Sequence, residues 1–174
     1  MLDRCFSEKW KAFNLAYRDV TCCQEWLLFS NFRNWMITQD WEGKELDKDL
    51  RVFDNKTYSP ETCCFVKQEL NSFLVKRGKS LSNFPLGVHE KTAPPVGQRK
   101  KPFASEVCTG KSKKQSLGCY ATPMEAHHAW QLGKIKQAKV FLSEETDPLV
   151  IQGLNRVINK IQSDYDNGIE TLDF

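Results

Sequence analysis

The sequence has no long hydrophobic run, since its longest uncharged apolar stretches span only a few residues. A membrane-spanning helix needs ~20 consecutive apolar residues, so we expect none and no membrane partner. The N-terminal stretch MLDRCFSEKWKAF also lacks the ~7–15 continuous apolar residues of a secretory signal. These absences predict a cytoplasmic protein.

Cysteine pairs with zinc-ligand spacing are also absent, because the seven cysteines include no C-x-x-C pair. Without a secretory signal, the cysteines are expected to be reduced thiols. We interpret Cys63 and Cys64 as small buried apolar residues rather than nucleophiles. The cysteine pattern therefore gives little support to a zinc site.

Acidic residues are scarce in the centre of the chain. Residues 76–115 contain ten Lys or Arg and only two acids, a net charge of +8, although the whole chain carries +3. Residues 142–174 have the opposite balance of −5. A basic segment of this kind binds polyanions by releasing counterions from phosphates, and the alternative is a solvated surface loop. The charge pattern leaves both open.

The composition is typical of a folded protein. Hydrophobic residues make up 40% of the chain, with eleven Phe and five Trp, which is too much for a wholly disordered protein. The length of 174 residues predicts one or two small domains, since domains most often contain ~100–150 residues.

The N-terminal part of the chain predicts helices followed by a strand. Apolar residues over 24–38 form one face, which indicates one or two short helices with Ser30 as a cap. A strand with alternating Leu46, Leu50 and Val52 follows and ends at a turn.

A longer helix is predicted next. Ser59 precedes Pro60, the residue type favoured at the first helical position, and Glu61 adds negative charge to the first turn. The helix is expected to end near Gly78.

The next segment predicts a small sheet and one helix. FASEVC and QSLGCY alternate in polarity and flank the turn-rich TGKSKK, which indicates a hairpin. Thr122, Pro123 and Glu125 form a capping-box start for a helix in which Trp130 should face the sheet.

An acidic C-terminal helix completes the predicted fold. Asp147-Pro148 begins it, and an apolar stripe runs to its end near Gly168. The chain is thus predicted to be an α+β protein with segments 1–78, 79–141 and 142–174.

Part of the first segment, GKELDKDLRVFDNKTYSPETCCFVKQELN, resembles the phage branch of the HNH (ββα-metal) endonucleases. Within it, ETCCFVKQELN is similar to the family's helix-entry run, and the preceding CCQEWLLFSNFRNWM is similar to the region before the family's module. The resemblance implies a small ββα-metal nuclease module preceded by helices. It also implies a hydrolase that cleaves DNA phosphodiester bonds.

This resemblance implies that Asp47 and Asn71 bind a divalent cation, Mg²⁺ or Mn²⁺, which acts as Lewis acid and template. Thr62 falls on the family's central Asn. Lys48 stands where the family has its general base, a histidine, and a lysine is ordinarily protonated at neutral pH. We therefore expect Lys48 to bind the scissile phosphate, while Asp49 or a metal-bound hydroxide takes the proton.

A second stretch, GVHEK through PFASEV to KQSLGCYATPMEAHHAWQLGK, resembles the Apetala/ethylene-response-factor DNA-binding domain. The resemblance implies a three-stranded antiparallel sheet packed on one helix, with strand side chains in the major groove of double-stranded DNA. Arg99 is expected to contact a base, since arginine pairs bidentately with guanine, while lysines position the backbone. The DNA contacts predicted in this way are His89, Arg99, Lys100, Lys101, Lys111, Lys113 and Lys114.

The two resemblances, in this order, are characteristic of free-standing homing-type endonucleases of bacteriophages, which act in the host cytoplasm. They imply no small-molecule cofactor, and they leave the target sequence and the oligomeric state open, with a monomer favoured. Because Lys48 and Thr62 depart from the HNH pattern, a catalytically degenerate DNA-binding or regulatory protein is the alternative. The acidic residues 142–174 leave open a third class of function, that of an interaction protein that acts on a host enzyme.

Overall fold

The computed structural model describes residues 1–75, 83–91, 100–111 and 113–174. These residues form two compact units, Met1–Lys67 (unit 1) and Gln68–Phe174 (unit 2). The chain is a mixed α+β protein, as predicted. No helix among the described residues is long and apolar enough to cross a membrane. All seven cysteines are free thiols.

Unit 1 begins with short helices. They are α1 (Leu2–Phe6), α2 (Glu8–Phe13), 3₁₀ turns at Leu15–Tyr17 and Gln24–Leu27, and α3 (Phe29–Met36). The prediction of one or two helices over 24–38 is confirmed as two, because Leu28 is extended and interrupts the helical backbone. The predicted Ser30 cap does not form, since Leu28 occupies the N-cap position without a side-chain hydrogen bond.

Two small sheets complete unit 1. Strand β1 (Thr21–Cys22) pairs with β3 (Thr57–Tyr58) in parallel, and β2 (Lys44–Asp47) pairs with β4 (Cys64–Lys67) in antiparallel register. The predicted strand through Leu50 and Val52 is therefore shorter than expected, because the chain turns after Asp47.

The predicted helix from Pro60 is wrong in its first half. Cys63 N–H bonds to Ser59 O in a turn, and Cys64, Phe65 and Val66 are buried in β4. A short apolar run buried on both faces of a sheet has no helical periodicity, and pairing with β2 decides its conformation. The helix that follows, α4, spans only Gln68–Leu74.

The core of unit 1 contains Trp26 and Tyr58 together with Cys5, Val20 and Cys63. The Trp26 ring packs against Trp35 at a centroid distance of 4.6 Å. Trp26, Phe32 and Trp35 of the predicted helical region thus lie in or against the core, whereas Phe29 is 69% exposed. Helix α3 is held by this packing rather than by a cap.

Unit 2 contains the predicted sheet. Strands β5 (Val88–Glu90), β6 (Phe103–Gly110) and β7 (Lys113–Tyr120) form an antiparallel sheet in the order β5-β6-β7. The hairpin between β6 and β7 is therefore confirmed.

Two long helices follow this sheet along the chain, and the first of them packs against it. Helix α5 (Pro123–Glu144) begins with the predicted capping box, in which Thr122 and Glu125 bond reciprocally. Helix α6 (Pro148–Asp166) begins at Asp147, whose side chain accepts the Leu149 N–H.

The apolar stripe of α6 is buried as predicted, at Val150, Leu154, Val157, Ile158 and Ile161. Helix α6 packs on α5 within the same unit. The structure thus divides the chain after Lys67 rather than after residue 78, and residues 142–174 belong to unit 2.

Close backbone packing joins α5 to the start of the sheet. Gly87 has φ +76°, and a Cβ atom placed there would lie 1.9 Å from the Trp130 ring. Glycine alone accommodates both this φ and this approach. Trp130 is 6% exposed and forms part of the core, as predicted.

Candidate functional site

Asp47 is the last residue of β2, and its carboxylate closes the turn that follows. Its Oδ1 atom accepts hydrogen bonds from the backbone N–H groups of Asp49 (2.9 Å) and Leu50 (2.7 Å). Burial raises the pKa of Asp47, and the Asp49 carboxylate adds to this effect, whereas the two N–H bonds oppose it. One carboxylate oxygen is therefore committed to an Asx-type turn.

Lys48 is buried at 7% exposure, and its ammonium is engaged inside unit 1. The Nζ atom donates to the Asp49 carboxylate and to the carbonyl oxygen of Asn55 at 2.9 Å. Asn55 Nδ2 donates back to the carbonyl oxygens of Lys48 (2.9 Å) and Thr57 (2.7 Å). Lys48 and Asn55 thus hold the β2–β3 loop closed, and a DNA phosphate could bind this ammonium only by displacing those contacts.

Asp49 and Thr62 differ in exposure. The Asp49 side chain is 56% exposed, so solvent reaches its carboxylate beside the Lys48 ammonium. The Thr62 hydroxyl is turned inward, donating to Thr57 O at 2.7 Å and accepting from Ser59 N at 3.1 Å. Thr62 therefore closes the turn before β4, although the sequence placed it in a helix.

The two predicted cation ligands lie in different units, Asp47 in unit 1 and Asn71 in α4 of unit 2. Within the part of the chain that the structure describes, no three His, Cys, Asp or Glu side chains are arranged to hold a metal ion. Magnesium takes oxygen ligands from one or two carboxylates with substrate and water, and Asp47 gives one oxygen to its own turn. The pair of Asp47 and Asn71 as cation ligands stays a prediction.

The β6–β7 hairpin carries an exposed basic surface, formed by Lys111, Lys113 and Lys114 and named here the basic hairpin surface. Lys111 Nζ lies 2.6 Å from Glu69 Oε1, and Lys114 Nζ lies 3.2 Å from Glu106 Oε2. Exposed ion pairs of this kind contribute only ~0–1 kcal/mol, so a phosphate can replace the carboxylate at little cost.

Further predicted DNA contacts lie along the same sheet. His89 on β5 is 47% exposed, and its Nε2 atom lies 4.0 Å from Glu106 Oε1. Lys100 and Lys101 are exposed directly before β6. The predicted base contact, Arg99, lies outside the described residues.

The end of the hairpin is packed against α4. Gly110 has φ +111°, and a Cβ atom there would lie 2.9 Å from Glu69 Cβ. Cys108 Sγ donates to Ser72 O at 3.7 Å. These contacts place the basic hairpin surface on a supported part of unit 2 rather than on a free loop.

Three buried polar residues of α5 were not predicted from the sequence: His127, Gln131 and Lys134. His127 is fully buried between two backbone groups, and Lys134 is 3% exposed with its Nζ atom donating to Phe73 O. The i, i+3, i+4, i+7 spacing of His127, Trp130, Gln131 and Lys134 marks one helix face, and this was the available signal. Of the residues on this face, only Trp130 was predicted to face the sheet.

The resemblances of this chain to the HNH endonucleases and to the Apetala DNA-binding domain stay predictions. Comparison with protein-family models, with curated proteins and with solved structures finds no match for this chain.

Proposed function

We propose that this protein binds double-stranded DNA through the exposed part of its three-stranded sheet. The observation that carries the proposal is the basic hairpin surface, three exposed lysines at one end of two paired strands. The major groove of B-DNA, ~12 Å wide, admits a two-stranded β-ribbon, so a sheet can approach the bases while lysines contact phosphates.

The surrounding contacts support this proposal. The ion pairs of Lys111 and Lys114 with glutamates are solvent-exposed, so each lysine can exchange a carboxylate for a phosphate. The hairpin is supported by α4 and the sheet by α5, so binding requires little ordering of the protein.

The test is the salt dependence of DNA binding. Each phosphate contact makes the slope of log K against log salt more negative by ~0.9, so Lys113→Ala with Lys114→Ala should make that slope less steep by about 2. The matched control is Lys136→Ala with Lys139→Ala, which removes two exposed lysines from α5. An equal effect of both double variants would show that DNA does not contact the hairpin specifically.

A metal-dependent DNA endonuclease is the second candidate. The order of β2, β4 and α4 along the chain favours it, because an antiparallel strand pair followed by a helix is the order of the ββα module. The structural roles of Lys48 and Thr62 favour instead the degenerate DNA-binding alternative.

The two candidates are separated by incubating supercoiled plasmid with the protein and Mg²⁺ or Mn²⁺, with and without chelator. Cleavage that the chelator abolishes, and that Asn71→Ala removes while DNA binding persists, would support the endonuclease. Binding without cleavage in either metal would support the DNA-binding protein alone.

A further inference from the structure

The last residues of the chain pack against α5, with Thr171 and Phe174 buried and Ile169 and Leu172 exposed. Gly168, with φ +65°, turns the chain after α6, and residues 169–174 then run along the helix. Thr171 is fully buried, and Phe174 is 4% exposed with its ring 6.2 Å from the Trp130 ring. Residues 169–174 are named here the C-terminal segment.

His127 joins this segment to the turn before β5. Its Nδ1 atom lies 2.9 Å from Leu86 O, and its Nε2 atom lies 2.9 Å from the Thr171 amide nitrogen. A carbonyl oxygen only accepts and an amide N–H only donates, so Nδ1 must carry the proton and Nε2 must be bare. Both bonds can form only with the neutral, Nδ1-protonated ring.

Gln131, one turn further along α5, makes the neighbouring contacts. Its Nε2 atom donates to Ile169 O at 3.0 Å and to Thr171 Oγ1 at 2.9 Å. Gln131 does not change charge with pH, so His127 is the titratable member of the pair.

We propose that the C-terminal segment is a latch that closes on neutral His127 and opens when this ring is protonated. Protonation places a second N–H group against the Thr171 N–H, so the 2.9 Å acceptor contact is lost inside a buried site. Opening also releases Phe174 from Trp130, whereas the Nδ1–H bond of His127 to Leu86 O can persist in the protonated ring. The latch acts independently of the proposed DNA binding.

Burial and the groups around His127 shift the pKa of this ring in opposing directions. Burial lowers the pKa of His127 and is the largest effect, and His128 on α5 lowers it further. The hydrogen bond to Leu86, Glu170 of the latch and Asp164 of α6 raise it. Burial outweighs these effects, so the closed latch contains a neutral ring at neutral pH.

The test is amide hydrogen exchange of the full chain, measured by NMR and expressed as protection factors from pH 7.5 to 5. Between the ordinary histidine pKa of ~6.5 and the lower pKa of the closed state, protection of the Thr171 amide should fall by up to about tenfold per pH unit. Amides in the middle of α5 and in β6 should keep their protection. The nitrogen shifts of His127 should report the Nδ1-protonated ring at pH 7.5.

Two variants isolate the titrating group. In the His127→Gln variant, the glutamine side chain can still accept the Thr171 N–H. Protection of the Thr171 amide in this variant should not depend on pH below 6.5. His89→Gln, at an exposed position of β5, should retain the wild-type pH dependence. Thr171 protection that stays constant to pH 5 in the wild type, or an Nε2-protonated His127, would overturn the proposal. Equal loss of protection throughout unit 2 would also overturn it, because opening would then be global unfolding.

Discussion

Replacing Lys134 by methionine should stabilise the protein at neutral pH. Lys134 is 3% exposed, and its Nζ atom lies 3.7 Å from the Phe73 ring centroid and 4.9 Å from that of Phe174. Burial lowers the pKa of Lys134 from 10.5 to about 7, while Cys108 raises it slightly. Methionine has a similar length and fills the same apolar surroundings without a charge.

The expected gain follows from this pKa. The difference between 10.5 and about 7 corresponds to a penalty of about 5 kcal/mol at ~1.4 kcal/mol per pH unit, which is an upper bound. Loss of the Nζ hydrogen bond to Phe73 O leaves a buried carbonyl and costs ~1–3 kcal/mol. The net gain in the free energy of unfolding at pH 7 should therefore be at most about 2–4 kcal/mol.

The pH dependence of wild-type stability gives a second measure of the lowered pKa of Lys134. Between pH 7 and 10.5 the unfolded chain keeps the Lys134 proton that the folded protein has lost. Stability of the wild type should therefore rise with pH in this window, by at most ~1.4 kcal/mol per unit. Burial raises the pKa of Cys63 to about 12, which lowers folded-state stability once unfolded thiols ionise, so measurements belong between pH 7.0 and 8.5.

The assay is equilibrium urea unfolding followed by circular dichroism in the presence of a reductant. Lys136→Met, on the exposed side of the same helix, is the matched control and should leave both stability and its pH dependence nearly unchanged. A Lys134→Met protein that is less stable than wild type, together with a wild type whose stability does not rise from pH 7.0 to 8.5, would refute the reasoning.

Three further predictions address other parts of the chain. Gly87→Ala should lower the free energy of unfolding by more than ~2 kcal/mol because of the indole ring at 1.9 Å, whereas Gly43→Ala, with open space and φ +69°, should cost ~1 kcal/mol in the same urea titration. Lys48→Ala should lower the thermal midpoint, because it leaves the buried Asn55 carbonyl oxygen without its Lys48 donor; an unchanged midpoint would restore the predicted phosphate role. Lys100→Ala with Lys101→Ala should reduce the salt slope of DNA binding by about 2 while preserving sequence preference; an unchanged slope would exclude backbone contacts there.

Local signals explain what could be predicted from the sequence. The capping box of Thr122 and Glu125 and the N-cap Asp147 act within a few residues of their partners, so both long helices were located correctly. The alternating stretches of the β6–β7 hairpin are also joined by a short turn. Each of these patterns contains its own hydrogen-bond partners or its own apolar face.

The helix predicted from Pro60 shows where local signals fail. Ser59, Pro60 and Glu61 form a valid helix start, yet the chain continues as a turn and then as β4. The decisive partner is β2, whose Asp47 pairs with Cys64. No local pattern in the sequence predicts this pairing. Burial on both sides of β4 then outweighs the local helix preference.

The basic centre of the chain and the positions of the two long helices can be read from the amino-acid sequence alone. Which polar side chains are buried depends instead on contacts between distant parts of the chain. Lys134 bonds to a residue 61 positions away, and His127 bonds to residues 41 and 44 positions away. The charge state of a side chain depends on the solvent and the partners around it, and for these two residues the partners are brought together only by folding.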